Sequence, residues 1–399
     1  MLLARTGQRT FHQKSSSTFA GSQRLRKYHR LTFPNTAQPS DPHGLTGRLS
    51  NWVSSVQLGD IPSNVVERTK YLILDGIGCA ILGAQLPWSK RATDICTSME
   101  PGGHCSLIGW DKHVSPRTAA LLNSTYIQGF ELDDVHSETP WHANSVVLPA
   151  LFSAIQYDSR RRGHKADVSG ASLLLACIVG FETGGRVGRT LHGPEMLARG
   201  WHSGAVFGPA AAAASVSCLL RLSPKETEDA FGTACTQASG LMGAQDGADV
   251  KRMQHGFGAS NGLQAALLAQ SGYSGISKVF EKPYGGFIAA FNQGSQLGTF
   301  TKAQRLVQSL GSDWSALQKI CVKPYASMLG THAPIDCVRN IQSKHPSIVL
   351  HLRDIQSIHI IQSEAWYGHG GQDIERPINA LAAQMSTKYC VAAQLVDSN

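Results

Sequence analysis

Residues 170–188, GASLLLACIVGFETGGRVG, carry apolar or small side chains on nearly every side of a helical wheel. A helix of that kind needs apolar neighbours all round, so it demands a bundle built about it. Residues 204–222, GAVFGPAAAAASVSCLLRL, make the same demand, and their small side chains let neighbouring helices come close. Residues 63–83 place Asn64 and Glu67 in capping-box spacing and then apolar residues at helical intervals. The segment LSPKETEDAFGTACTQASGLM opens on Ser223 as N-cap, Pro224 at the first helical position and Glu226 to close the box. NGLQAALLAQSGY reads as a short helix ended by glycine. Strand-like stretches are few before about residue 318. The expected fold class is mainly α, with a large all-helical domain over residues 45–318.

The pattern changes near GSDWSALQKICVKPY. Residues 349–363, VLHLRDIQSIHIIQS, alternate and are β-branched, which predicts strands, and APIDCVRNIQS predicts a helix before them. Residues 319–399 are therefore expected to form a smaller α+β lid domain. The chain stops on MSTKYCVAAQLVDSN, an amphipathic helix without a visible cap, so the lid is expected to be incomplete, truncated at its C-terminus.

The formal charge of +8 invites a nucleic-acid reading, and its distribution argues against one. Seven basic residues (Arg5, Arg9, Lys14, Arg24, Arg26, Lys27 and Arg30) and no acid lie in the first 40 positions, leaving the rest near neutral. Residues 1–44 thus form a basic, serine-rich, acid-free leader, the composition of a mitochondrial presequence, and a matrix location is expected. The nine cysteines are scattered and odd in number, which predicts free thiols in a reducing compartment. No apolar run reaches the length expected of a membrane span; the best candidate, FGPAAAAASVSCLL, reads as a buried helix, and no membrane association is expected.

Between two core-like segments, GFELDDVHSETPWHANSVVLPA crowds Glu131, Asp133, Asp134, His136, Glu138 and His142. Carboxylates packed this way repel one another, so at least one has a raised pKa unless cations or backbone N–H groups compensate. Most such clusters are solvated helix ends. Here the flanks resume core at once, which pins the charges inside, and His142 is placed to act as an acid near neutral pH. Three basic patches accompany it. His202 precedes a helix N-terminus in ARGWHSGAVFGPA; alone, such a histidine is more often a cap or core residue. DVKRMQHGFGASNG sets Lys251, Arg252 and His255 before glycines of a helix start, an anion cradle. CVKPYASMLGTHAP brings Lys323 and His332 to the opening of the lid. Together they predict a pocket for a small polycarboxylate.

Competing motifs fail on context. Gly258-Ala259-Ser260-Asn261-Gly262 matches a hydrolase elbow, but the strand that elbow requires does not precede it. The same glycines lack the spacing of a dinucleotide fingerprint. The histidines lack metal-ligand spacing and the cysteines do not cluster for an iron–sulfur centre, so neither metal nor cofactor is expected.

Five stretches in fixed order (GFELDDVHSETPWHANSVVLPA, GWHSGAVFGPAAAAA, ACTQASGLMGAQDGADVKRMQHGF, YGGF and ERPINALAAQMS) resemble the MmgE/PrpD family, over about residue 47 to the last residue. Within it the likeness is strongest to fungal cis-aconitate decarboxylases; the family also includes 2-methylcitrate and alkylcitrate dehydratases. The resemblance implies a helical domain with an α+β lid, a homodimer and no metal. It implies a catalytic set of His142, His202, Lys251, Glu131 and Asp133, with Asp134, Lys323, Arg252 and His255 binding substrate. The chain departs from the family pattern in three places: Gln254 replaces the histidine of K-x-x-H, with His255 one place later, Met328 stands where vertebrate relatives have histidine, and the loop from Asp134 to His142 is one residue longer than theirs.

The implied activity is carbon–carbon lyase chemistry, cis-aconitate to itaconate, with His142 or His202 supplying a proton and the lysines stabilising enediolate-like charge. A dehydratase passes through related charge, and an inactive truncated pseudoenzyme is the non-catalytic alternative. His142→Ala and Lys251→Ala are each expected to abolish turnover and leave melting nearly unchanged.

Overall fold

In the computed structural model, residues 37–163, 168–295, 302–370 and 376–397 are described. Of the presequence expected in residues 1–44, residues 1–36 lie outside them. The helical part runs α1 (Leu45–Ser55), α2 (Ser63–Gly83), α3 (Pro87–Ser98), α4 (Pro116–Ile127), α5 (Asn144–Arg161), α6 (Gly170–Thr190), α7 (Gly193–Ala198), α8 (Ser203–Leu220), α9 (Pro224–Cys235) and α10 (Gln254–Gln270). Short helices α11 (Phe287–Phe291) and α12 (Ser315–Gln318) lead to a lid made of α13 (His332–Lys344), α14 (Glu364–Gly370), α15 (Ala380–Met385) and α16 (Thr387–Val396).

As its composition requires, α8 lies at the centre, with nearly all of its residues buried and α5, α6, α9 and α10 packed about it. The elbow-like motif turns out to be a packing device inside α10. A Cβ on Gly262 would stand 2.4 Å from the Ala212 methyl, and one on Gly258 would stand 2.7 Å from the Gly204 carbonyl. The glycines bring α10 and α8 into backbone contact, and Ser260 is buried in mid-helix. Both α6 and α8 are long and apolar enough to cross a membrane, which corrects the expectation that no segment reaches that length. What occupies their apolar faces here is the rest of the bundle: α8 is 94% buried.

Ser223 and Glu226 form the expected capping box of α9. The Asn64–Glu67 box does not form; α2 starts behind Pro62, and Glu67 pairs instead with Lys70 at 2.9 Å. All nine cysteines are free thiols.

Strands are minimal. β1 (Cys105–Ser106) pairs with β2 (His113–Val114), and β3 (Val135–His136) pairs antiparallel with β4 (Ile320–Cys321). The second pair positions the site, because it staples the end of the acidic cluster to the residues that open the lid. Residues 349–363 are not strands: 3₁₀ turns at Pro346–Leu350 and Leu352–Asp354 are followed by chain without regular secondary structure. Alternation alone makes a chain β-capable, and without a partner edge no ladder forms. The lid linker is held on α6 by a buried pair, Arg186 Nε to Glu182 Oε1 at 2.7 Å. Arg186 also donates to the Gln308 and Asp313 carbonyls at 2.7 Å each, and Glu182 accepts from Leu317 N–H at 3.0 Å.

Candidate active site

The acidic cluster lies in the connection from α4 to α5. Glu131 turns the chain with φ +60°, a left-handed conformation that a glutamate adopts only when its surroundings hold it. Asp134 then caps α5: its carboxylate oxygens accept from Ala143 N–H at 2.8 Å and Asn144 N–H at 2.9 Å. Between them, His136 Nδ1 accepts from the Glu138 and Thr139 N–H groups at 3.1 Å each, and Trp141 packs against Gly184 of α6. On the outside, Glu138 pairs with Arg189 at 3.0 Å and Lys319 at 3.2 Å. The loop is clamped on both sides, and His142 is the side chain it delivers.

Lys251, in the 3₁₀ turn before α10, makes a short ion pair with Glu131 Oε1. Lys323 approaches Glu131 Oε2 at 3.7 Å from the lid side, and Gln128 donates to Glu131 at 2.9 Å. Burial alone would raise the Glu131 carboxyl; Lys251, Lys323 and His142 overturn that and hold it well below the usual carboxylate range. Burial pulls Lys251 down and Glu131 partly restores it. His142 Nδ1 lies 3.1 Å from Asp133 Oδ2, which leaves Nε2 as the ring nitrogen available to the cavity. His255 stands between His142 and His202, edge-on to both, with ring centroids 4.9 and 4.8 Å away. Burial first, then the neighbouring cations and imidazoles, push His202 and His255 well below the ordinary histidine value, so both are neutral.

These groups surround a cavity of about 50 Å³. Glu131, His142, His202 and Lys251 line it from the helical side, and Lys323, Met328, Trp366, His369 and Met385 from the lid side. A larger cleft of about 610 Å³ runs past Arg189, His192 and Arg305, but its charges are of both signs, with Glu138 and Asp313 already on Arg189. Among the described residues no group of three or more His, Cys, Asp or Glu is arranged to hold a metal ion.

Of the residues expected in catalysis, Glu131, His142, His202 and Lys251 line the cavity and Asp133 stands behind His142. Lys323, expected to bind substrate, also lines it. Three expected binding residues do not. Asp134 is spent on capping α5. Arg252 stacks on Trp88 at 4.1 Å and clasps the Gly129 carbonyl and Gln384 Oε1, tying the acidic loop to the lid. His255 is fully buried behind the other two histidines, in the space left by Gly204, where a Cβ would come 1.8 Å from its ring. The expected cradle at the α10 N-terminus is therefore closed from within: Lys251 and Arg252 turn to Glu131 and Gly129, and His255 turns into the core.

Sequence reasoning missed two residues. Asp75 of α2 lies beside Asn144 and is raised to about 6 by burial and then by Asp133. Its signal was a single carboxylate in the apolar run YLILDGIGC, next to Gly76, whose missing Cβ lets α2 reach Asn144. His369 of α14 sits in YGHGG, which has no pattern that marks it.

Fold and pocket together define a class: a helical-bundle protein with a lid, enclosing a site where lysines and histidines converge on a carboxylate. Residues 47–299 match the MmgE/PrpD N-terminal domain and residues 325–399 the MmgE/PrpD C-terminal domain. The chain belongs to the MmgE/PrpD family. It is 46% identical over 366 residues to the cis-aconitate decarboxylase-like protein oryM of Aspergillus oryzae, covering 90% of this chain and 75% of that one. It is 44% identical over 368 residues to the cis-aconitate decarboxylase of Aspergillus terreus, covering 91% and 74%. To the human cis-aconitate decarboxylase it is 26% identical over 307 residues, covering 75% and 60%.

Proposed function

We propose that the protein is a lyase that decarboxylates cis-aconitate to itaconate. The observation that carries this reading is the convergence of Lys251 and Lys323 on Glu131 in a cavity that His142 and His202 also line. The carbon–carbon bond to the departing carboxylate breaks, CO₂ leaves, and the electron pair spreads over the allylic system into a remaining carboxylate. Lysines in a low-dielectric pocket stabilise that charge where it develops. A proton must then reach carbon. His142 is the histidine with a carboxylate, Asp133, 3.1 Å from its ring; His202 has none and burial holds it neutral, so we assign His142 as the donor and His202 as a hydrogen-bonding wall. Asp133 acts through His142.

The cavity of about 50 Å³ is walled on one side by the lid residues Met328, Trp366, His369 and Met385, so the lid wall is the side from which we propose substrate enters. We also read the protein as a mitochondrial matrix enzyme, supported by the acid-free basic leader. The assembly proposed is a homodimer, supported by an apolar stripe on the outside of α2: Tyr71, Leu74, Ile81 and Leu82 are each more than half exposed.

The test is to incubate purified protein with cis-aconitate and follow the organic product by proton NMR and released CO₂ by headspace gas analysis. Equimolar itaconate and CO₂ are expected, and His142→Ala should abolish both. Dehydration of 2-methylcitrate in place of itaconate formation would move the assignment to the dehydratase branch.

A further inference from the structure

The lid side of the cavity is mostly apolar: Met328, Leu329, Trp366 and Met385. Among the described residues, two polar side chains come from it, Lys323 and His369. Lys323 is engaged with Glu131 and with the Ser327 carbonyl at 3.3 Å. His369 makes no hydrogen bond or ion pair with any described residue. Its position is nevertheless fixed. Trp366, one turn earlier on α14, packs on the cluster of Met328, Leu381 and Met385. A Cβ on Gly330 would come 2.6 Å from the Trp366 ring, and one on Gly370 would come 2.1 Å from Met328 Cε. Bare glycines on both sides of this contact let α14 seat closely enough to bring His369 to the cavity.

Met328 lines the cavity and offers only a thioether, a weak acceptor with no proton to give. We propose that His369 is a substrate-binding residue, its imidazole donating an N–H to a carboxylate of the bound polycarboxylate once the lid helix is seated. Burial and then Lys251 push the ring down to about 4, so it is neutral at physiological pH. A neutral imidazole donates one N–H and adds no charge beside Lys251, which avoids a third cation in a pocket that already holds two. Since α14 carries the group, a ligand that engages His369 also holds the lid down. The proposal rests on the polycarboxylate reading of the site, though not on which bond is broken.

The experiment compares the full chain with His369→Phe and His369→Gln in two measurements. Steady-state CO₂ release from cis-aconitate gives KM and kcat. Calorimetric binding of propane-1,2,3-tricarboxylate, a saturated tricarboxylate that has no reaction to undergo, is independent of turnover. His369→Phe should raise KM and the tricarboxylate Kd by about tenfold each, the effect of one lost hydrogen bond to a charged group, with kcat changed less than threefold. His369→Gln, which keeps an N–H donor, should stay within threefold of the native protein in both. Unchanged KM and Kd in His369→Phe would overturn the proposal, as would a fall in kcat at constant KM, which would assign His369 to the chemical step. If the native protein binds the tricarboxylate and releases no CO₂, the lyase reading fails, and the binding data on the two variants still decide the role of His369.

Discussion

Lys251 and Glu131 are 4% and 2% exposed, and each is the main partner of the other. Two charges taken out of water tolerate one another and tolerate badly the loss of either. Lys251→Met leaves the Glu131 carboxylate buried without its main partner, with Lys323 at 3.7 Å and the Gln128 amide at 2.9 Å to answer it. We expect that variant to lose roughly 3–5 kcal/mol of stability, the range for breaking a buried pair from one side. The sequence alone predicts nearly unchanged melting for Lys251→Ala; the burial of the pair overturns that expectation. Adding Glu131→Gln to Lys251→Met should recover most of the loss, which denaturant unfolding of the two single variants and the double will measure. The sign with pH follows from the direction of the shift. Glu131 is held well below its unfolded value of 4.5, so the stabilisation is complete above that value and is lost as the pH falls through the lower, folded one. The coupling should therefore be the same at pH 7 and at about pH 5.5. At this scale the sequence displayed both charges and not their pairing, since 120 residues separate them. Asp75 and His369 were illegible for a related reason: one is a single acid in an apolar helix and the other a single histidine in a glycine-rich turn, and only the fold brings them to the others.

Among the elements, the contact of α8 with α10 sets the histidine cluster. Gly204, in the first turn of α8, leaves the space that the His255 ring occupies between His142 and His202. In an ordinary helix, replacing glycine by alanine stabilises by about 1 kcal/mol. Here the added methyl lies 1.8 Å from a ring with no solvent to move into, and overpacking of that kind costs about 1–3 kcal/mol. Gly204→Ala is expected to destabilise the protein on balance, lowering its melting temperature, and to cut kcat more than tenfold by displacing His142 and His202 through His255. A variant with native melting and native kcat would show that the three rings are not packed as a unit. How legible an element was depended on whether its signal is local. The α9 cap was readable because Ser223 and Glu226 satisfy each other within one turn. Residues 349–363 were misread because a strand is defined by its neighbour, and alternation in one segment says nothing about whether an edge waits for it. The G-x-S-x-G match in α10 was rightly set aside on missing context, but its use as a packing stripe needed α8 in place.

For the whole molecule, α2 poses the remaining question, because it is apolar on two sides. Val65, Leu72, Cys79 and Ala80 face the core, while Tyr71, Leu74, Ile81 and Leu82 point outward at 55–67% exposure. Helical spacing gathers the outer set on one stripe with Gly78, which has nothing within 4 Å of where its Cβ would be. An amphipathic surface helix presents polar residues to water, so four large apolar side chains in a row call for a cover. In the proposed homodimer a second copy of the chain would supply the same stripe in return, as a two-fold axis requires. The stripe by itself is too small for a stable interface of about 800 Å² per partner, so residues flanking α2 must join it. Sedimentation equilibrium at micromolar concentration is expected to give a dimer for the native protein and a monomer for Leu74→Glu/Ile81→Glu, with unchanged far-ultraviolet circular dichroism in both. A native monomer that pellets with anionic vesicles would give the stripe to a membrane surface, and a dimer that survives both substitutions would place the two-fold axis elsewhere on the molecule.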